Sequence, residues 1–174
     1  MVNAVSCLLG KKVTGPRPVR DEELERIGRE IRREIDARFG RSLAIRELDT
    51  GSDNAAEIEI NNLNNAYYDV ERFGISFVAS PRHADVLIVT GAVTHNLAIA
   101  AQKTYDAMPS PKFVVAVGDD ACEGGIYKGT YAVMGGADAL LPVDVKIPGN
   151  PPTPLQILTG LLALMQKAGH IPRG

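Results

Sequence analysis

Residues 84–91 read Ala-Asp-Val-Leu-Ile-Val-Thr-Gly, an unbroken apolar centre closed on both sides by turn residues. A strand buried on both faces has this pattern, because a parallel sheet covered by helices leaves neither face wet. Just downstream, Thr94 or Asn96 caps a helix that runs to Met108 and is stopped by Pro109 and Pro111. The stretch FVVAV, residues 113–117, repeats the buried-strand pattern and ends at Gly118. Strand, helix and strand in this order predict a right-handed crossover within a parallel sheet. Sites in such sheets gather beyond the carboxyl ends of the strands.

Working outward, SLAIREL places a strand over Leu43–Leu48, and residues 53–63 read as helical. FGISFVA gives an extended piece over Ile75–Val78. Toward the other end, Ala139–Val143 reads as a last short strand. Thr153 then caps a helix with Pro154 at its first position, carrying Leu155, Leu158, Leu161, Leu162 and Met165 to a stop at Gly169. Near the start, Asp21 is the N-cap of a helix with Glu22 and Glu23 in its first turn. Leu24, Ile27, Ile31, Ile35 and Phe39 form its apolar stripe, Gly40 ends it, and Glu22–Arg26, Glu25–Arg29 and Glu34–Arg38 stand at i,i+4. Its charged face is either a docking surface or simply solvated. Residues 1–20, broken by Gly10, Gly15, Pro16 and Pro18, read as a tail. The expected organisation is therefore a tail over 1–20, an amphipathic helix over 21–40 and one α/β domain over 41–174.

Composition agrees with a folded domain. The chain has 174 residues, 45% of them apolar and 23% charged, and is long enough for a core without disulfide or metal staples. A net charge of -2 argues against a nucleic-acid groove, which needs a basic face. No apolar run approaches a transmembrane length of ~20 residues. The opening MVNAVSCLLGKK makes a poor signal peptide, since its charges follow the apolar patch.

Three Gly-, Asp- and Pro-rich loops lie where a site belongs: 49–54, 118–125 and 148–152. Asp49, Asp53, Asp119, Asp120 and Glu123 offer hard oxygens of the kind Mg²⁺ or Ca²⁺ takes, although Asp is also an ordinary loop and cap residue. Cys122 is either a reactive thiol beside a helix N-terminus or an inert one. Gly118 and Gly124-Gly125 after a strand suggest a phosphate loop, yet no Lys-Ser/Thr follows and no G-x-G-x-x-G is present. His83, His95 and His170 have no partner at metal-ligand spacing.

These loops and their surroundings resemble the small iron–sulfur (20 kDa-like) subunit shared by respiratory complex I and membrane-bound energy-converting [NiFe]-hydrogenases. The resemblance rests on GSDNAAEIEI (51–60), NNAYYDVERFGISFVASPRHADVLIVTGAVT (64–94), VAVGDDACEGGIY (115–127) and LLPVDVKIPGNPPTP (140–154). It implies a flavodoxin-like α/β fold, a parallel sheet with helices on both faces. In that family four cysteine thiolates from the three loops hold a [4Fe–4S] cluster, thiolates being the soft anionic ligands iron–sulfur centres require. Carried across, the four positions are Asp53, Ala56, Asp120 and Asn150, and none is cysteine. The framework around them is retained in Gly51, Gly118, Gly124, Gly125, Pro148, Gly149, Pro151 and Pro152.

The resemblance therefore implies a structural or binding subunit with a degenerate, cluster-less site. It would pair with a hydrogenase-large-subunit-like protein, with ferredoxin-like and membrane subunits nearby, on the cytoplasmic side of a membrane complex. Tyr67, Tyr68 and Arg72 would then pack either at a subunit interface or within the domain. Two alternatives stand beside this reading. One is an electron-transfer subunit keeping an unconventional iron–sulfur centre, with Cys122 as residual ligand. The other is a free-standing regulatory domain that binds a small molecule.

Overall fold

The computed structural model describes residues 21–168. The predicted tail, with Cys7, and the region of Gly169 and His170 lie outside them. The strands are β1 (Leu43–Asp49), β2 (Ile75–Phe77), β3 (Val86–Thr90), β4 (Val93–Thr94), β5 (Phe113–Val117), β6 (Val133–Gly135) and β7 (Val145–Ile147). The helices are α1 (Glu22–Arg38), α2 (Ala55–Asn62), α3 (His95–Asp106), α4 (Asp119–Glu123) and α5 (Pro154–Lys167).

Five strands form one parallel sheet in the order β2-β1-β3-β5-β7, with Ile45 opposite Val86 and Val86 opposite Phe113. This is the flavodoxin-like order, with its reversal between β1 and β3. β3 and β5 are buried at every position, which their unbroken apolar runs required. Alternate strand residues feed two cores. Ile45, Val86, Ile88, Val115 and Val117 face α1, α2 and α5. Leu87, Val89, Val114 and Ala116 face a smaller cluster with Met108, Ala121, Cys122 and Leu141. The second face is the thinner one, because α3 buries only Ala101.

Local chemistry sets the helix ends. Asp21 accepts from the N–H groups of Glu23 and Leu24 at 3.0 and 3.2 Å, as an N-cap should. Thr153 and Gln156 form a reciprocal capping box ahead of α5. On α1, Glu25–Arg29 and Glu34–Arg38 pair as expected, whereas Arg26 turns to Glu30 at 3.2 Å instead of Glu22. The apolar stripe of α1 packs on α5, and its charged face lies outward.

One strand assignment needs correction, the predicted last strand over Ala139–Val143. Residues 137–139 form a 3-10 turn, and the last sheet strand is β7, where Val145 pairs with Val115. The apolar run Leu140–Val143 supplies a core plug rather than a strand, with Leu141 buried in the second cluster. Sequence periodicity also gave no hint of the two-stranded antiparallel ladder β4–β6, each strand of which is only two or three residues long.

Asp85 fastens the amino ends of the three central strands. Its carboxylate accepts from Arg41 Nη1 and Nη2 at 2.8 and 2.6 Å and from Ala44 N–H at 3.0 Å. Its own N–H donates to Ala44 O, and its carbonyl accepts from Phe113 N–H. Tyr67, Tyr68 and Arg72 lie beside the start of α1, with Tyr67 55% exposed. Tyr67 Oη donates to Asp21, the two tyrosine rings meet edge to face, and Arg72 stacks on Phe73 while pairing with Glu25.

Candidate functional site

Beyond the carboxyl ends of β1, β5 and β7 the three loops close around one cleft. Its lining includes Asp53, Ala56, Asp120 and Asn150, the four positions carried across from the family resemblance, although they lie up to 97 residues apart. Ser52, Gly91, Gly118, Asp119, Gly149 and Pro151 complete most of the wall. The cavity volume is about 10 Å³, room for roughly one water.

The first loop is held by its own side chains. Asp49 accepts from the N–H groups of Gly51 and Ser52 at 2.7 and 2.8 Å, and Asp53 accepts from Ala55 N–H at 2.9 Å. Gly51 sits at φ +135, where an added Cβ would meet Thr94 Cγ2 at 2.5 Å and Ala92 O at 2.7 Å. No side chain fits there. Asp119 accepts from Gly149 N–H at 2.8 Å and so joins the second loop to the third.

A buried network beneath the first loop was missed from sequence. Glu57 on α2 is buried and accepts from Ser52 Oγ at 2.6 Å and from Thr90 Oγ1. Thr50 Oγ1 donates to Thr90 O at 2.9 Å, and Thr94 Oγ1 donates to Thr50 O at 3.0 Å. Its one sequence signal is the Thr-Gly pair that closes both β1 and β3, Thr50-Gly51 and Thr90-Gly91. Burial, together with the nearby Glu57 carboxylate, pushes the Glu47 carboxyl above the usual range.

Across the cleft, burial raises the Asp120 carboxyl, helped by repulsion from Asp53 and Asp119, while a hydrogen bond from Ile126 N–H opposes the shift. No lysine or arginine lines this cleft. Among the described residues, no three His, Cys, Asp or Glu side chains converge to hold a metal ion, so the five acids do not form a divalent site. Asp49, Asp53 and Asp119 are spent on backbone N–H groups instead.

Cys122 is not part of the cleft wall. The short helix α4 turns it into the second core, where it is 4% exposed with Sγ 3.7 Å from Ala116 O. Burial pushes the thiol up to about 11, the opposite of an activated cysteine. In the folded protein at pH 8 it should therefore be alkylated at least ~200-fold more slowly than a free thiol, with full reaction after unfolding. Mass mapping of the modified peptides checks this, and modification at the rate of a free cysteine would contradict it.

The residues present do not fit a four-thiolate cluster. Alanine has no donor atom, aspartate and asparagine bring hard oxygens, and the one cysteine near the loops points away.

Five parallel strands in this order, with three loops meeting beyond their carboxyl ends, define the flavodoxin-like α/β class. Residues 54–164 match the model for the NADH ubiquinone oxidoreductase 20 Kd subunit, and the chain belongs to that family. Its members are subunits of complex I-like and hydrogenase-like complexes. Among solved structures, a chain of the membrane-bound sulfane sulfur reductase, an archaeal respiratory membrane complex, is 34% identical. That match covers 86% of this chain and 78% of that one, with a TM-score of 0.65. An NAD⁺-reducing [NiFe]-hydrogenase shares the fold at 17% identity and TM-score 0.57, over 76% of this chain and 96% of that one. So does the [NiFeSe] hydrogenase of Desulfovibrio vulgaris Hildenborough, at 17% and 0.52, over 75% and 63%. No helix among the described residues is long and apolar enough to cross a membrane.

Proposed function

We propose that the chain is a structural and binding subunit of a complex I-like or energy-converting hydrogenase-like assembly, in which the family's cluster site has lost its cluster. It docks beside a hydrogenase-large-subunit-like protein, on the cytoplasmic side of a membrane complex, and carries no electrons itself. One observation supports this reading above the rest. The four ligand positions lie around one cleft, all four have lost their thiol, and the glycines and prolines that shape the loops remain. Drift at a single ligand would leave three thiolates, whereas loss of all four with the loops kept points to selection on surfaces.

The test is chemical. Purified without air, with any co-purifying partner separated, the chain should hold fewer than ~0.2 iron and sulfide per polypeptide, before and after attempted reconstitution. About four of each would overturn the reading and favour an unconventional cluster, with Asp120 and Asp53 the first residues to replace.

A further inference from the structure

The three loops around the cleft are fastened to one another and to the sheet by the chain itself. Loops 118–125 and 148–152 meet through a reciprocal pair. Asp119 N–H donates to Gly149 O at 2.8 Å, and Gly149 N–H donates back to Asp119 Oδ1 at 2.8 Å. One residue earlier, Gly118 N–H donates to Ile147 O at 2.9 Å, so the pair carries the β5–β7 ladder past the strand ends.

Loop 49–54 is fastened from beneath. Glu57 accepts from the hydroxyls of Ser52, in the loop, and of Thr90, at the end of β3. Gly91, at φ +71, lets the loop backbone lie directly on that strand end, since a Cβ there would sit 2.3 Å from Ser52 N. Between the first and second loops stands Ala56. It is 7% exposed and belongs to the larger core, and a Cβ at Gly118 would come within 3.6 Å of its methyl. Where the family places a thiolate, this chain places a packed methyl group, and the cavity left is about 10 Å³.

We propose that these contacts have taken over the cross-linking of the loops, so that the site closes as the chain folds, with neither iron nor sulfide, and that Asp119 and Glu57 are its positioning residues. The inference rests on the cluster-less reading above; the chemistry of closure comes from this chain alone. Ordering three Gly- and Pro-rich loops costs conformational entropy that some cross-link has to offset. Hydrogen bonds to carboxylates are the strong ones available, and two of them, at Asp119 and Glu57, join separate elements. A site kept open for a later occupant would hold donors free around a void. Here Asp49, Asp53 and Asp119 are spent on backbone N–H groups and almost no void remains. The subunit thus reaches its final loop geometry independently of any iron–sulfur assembly step.

The experiment is amide exchange of the full chain read by mass spectrometry, beside iron analysis of the same samples. Chain purified without air and chain purified in air with a chelator should exchange identically over all three loops. Asp119→Ala should speed exchange over 118–125 and 148–152 by ~10-fold or more, with β3 and β5 unchanged as the sign that the fold survives. Asp119→Asn, which keeps an acceptor for Gly149 N–H, should stay within ~3-fold of wild type. Glu57→Ala should loosen 49–54 and leave 148–152 alone, and Glu57→Gln, which keeps one acceptor oxygen, should restore most of the protection. About four iron per chain in the anaerobic sample would overturn the cluster-less reading and this inference with it. An iron-free wild type whose loops exchange as fast as those of Asp119→Ala overturns the closure alone. Loops that become protected only after iron and sulfide are supplied would overturn it as well.

Discussion

Replacing Asp85 by alanine is expected to destabilise the protein by about 3 kcal/mol. The carboxylate is 5% exposed and takes two hydrogen bonds from Arg41 and one from Ala44 N–H. Alanine would leave that backbone N–H without its carboxylate acceptor at the point where β1, β3 and β5 begin. Arg41, whose side chain is 56% exposed, can turn to water, which holds the cost below that of a fully buried ion pair. Asp85→Asn should cost less, about 1–2 kcal/mol, because its amide oxygen still accepts from Ala44 N–H. Urea unfolding with an unchanged m-value measures both. A loss under ~1 kcal/mol for alanine would show that the sheet does not depend on this clamp.

The second large effect is a gain. A variant carrying Asp53→Cys, Ala56→Cys, Asp120→Cys and Asn150→Cys should take up about four iron and four sulfide per chain on anaerobic reconstitution, against almost none for wild type. The four side chains already surround one cleft, and the first loop keeps the Gly51 backbone that no other residue can follow. Cavity volume is the obstacle, since room for one water is far from room for a cubane, and the loops must part as the cluster assembles. Iron and acid-labile sulfide analysis reads the outcome directly. A folded variant that stays iron-free would mean that loop spacing, as well as the ligands, has drifted away from cluster binding.

The sheet was legible because burial writes itself into composition. β3 and β5 are apolar at every position but Thr90, and α1 and α5 carry three- and four-residue apolar spacing between residues that cap them. The β4–β6 ladder and the true last strand were not legible. Segments of two or three residues have no period to detect, and Leu140-Leu141 looks like a strand when it only fills a core. The cleft positions came from family resemblance, since no spacing rule brings Asp53 and Asn150 together. Glu57 was passed over because its neighbours on α2 suggest a solvated face, and only tertiary structure shows Thr90 and Ser52 reaching it. The burial of Cys122 was not legible for a similar reason. Its sequence context is a loop, but one turn of helix rotates it inward.

The unequal covering of the sheet bears on how the molecule breathes. Helix α3 holds to the body through Ala101 and the half-buried Tyr105, while α1 and α5 bury a continuous apolar seam on the opposite face. Amide exchange would therefore be layered, with α3 opening at low free energy and β1, β3 and β5 only on global unfolding. Such a subunit can let its outer helix re-seat during assembly while the sheet that carries the three loops stays closed.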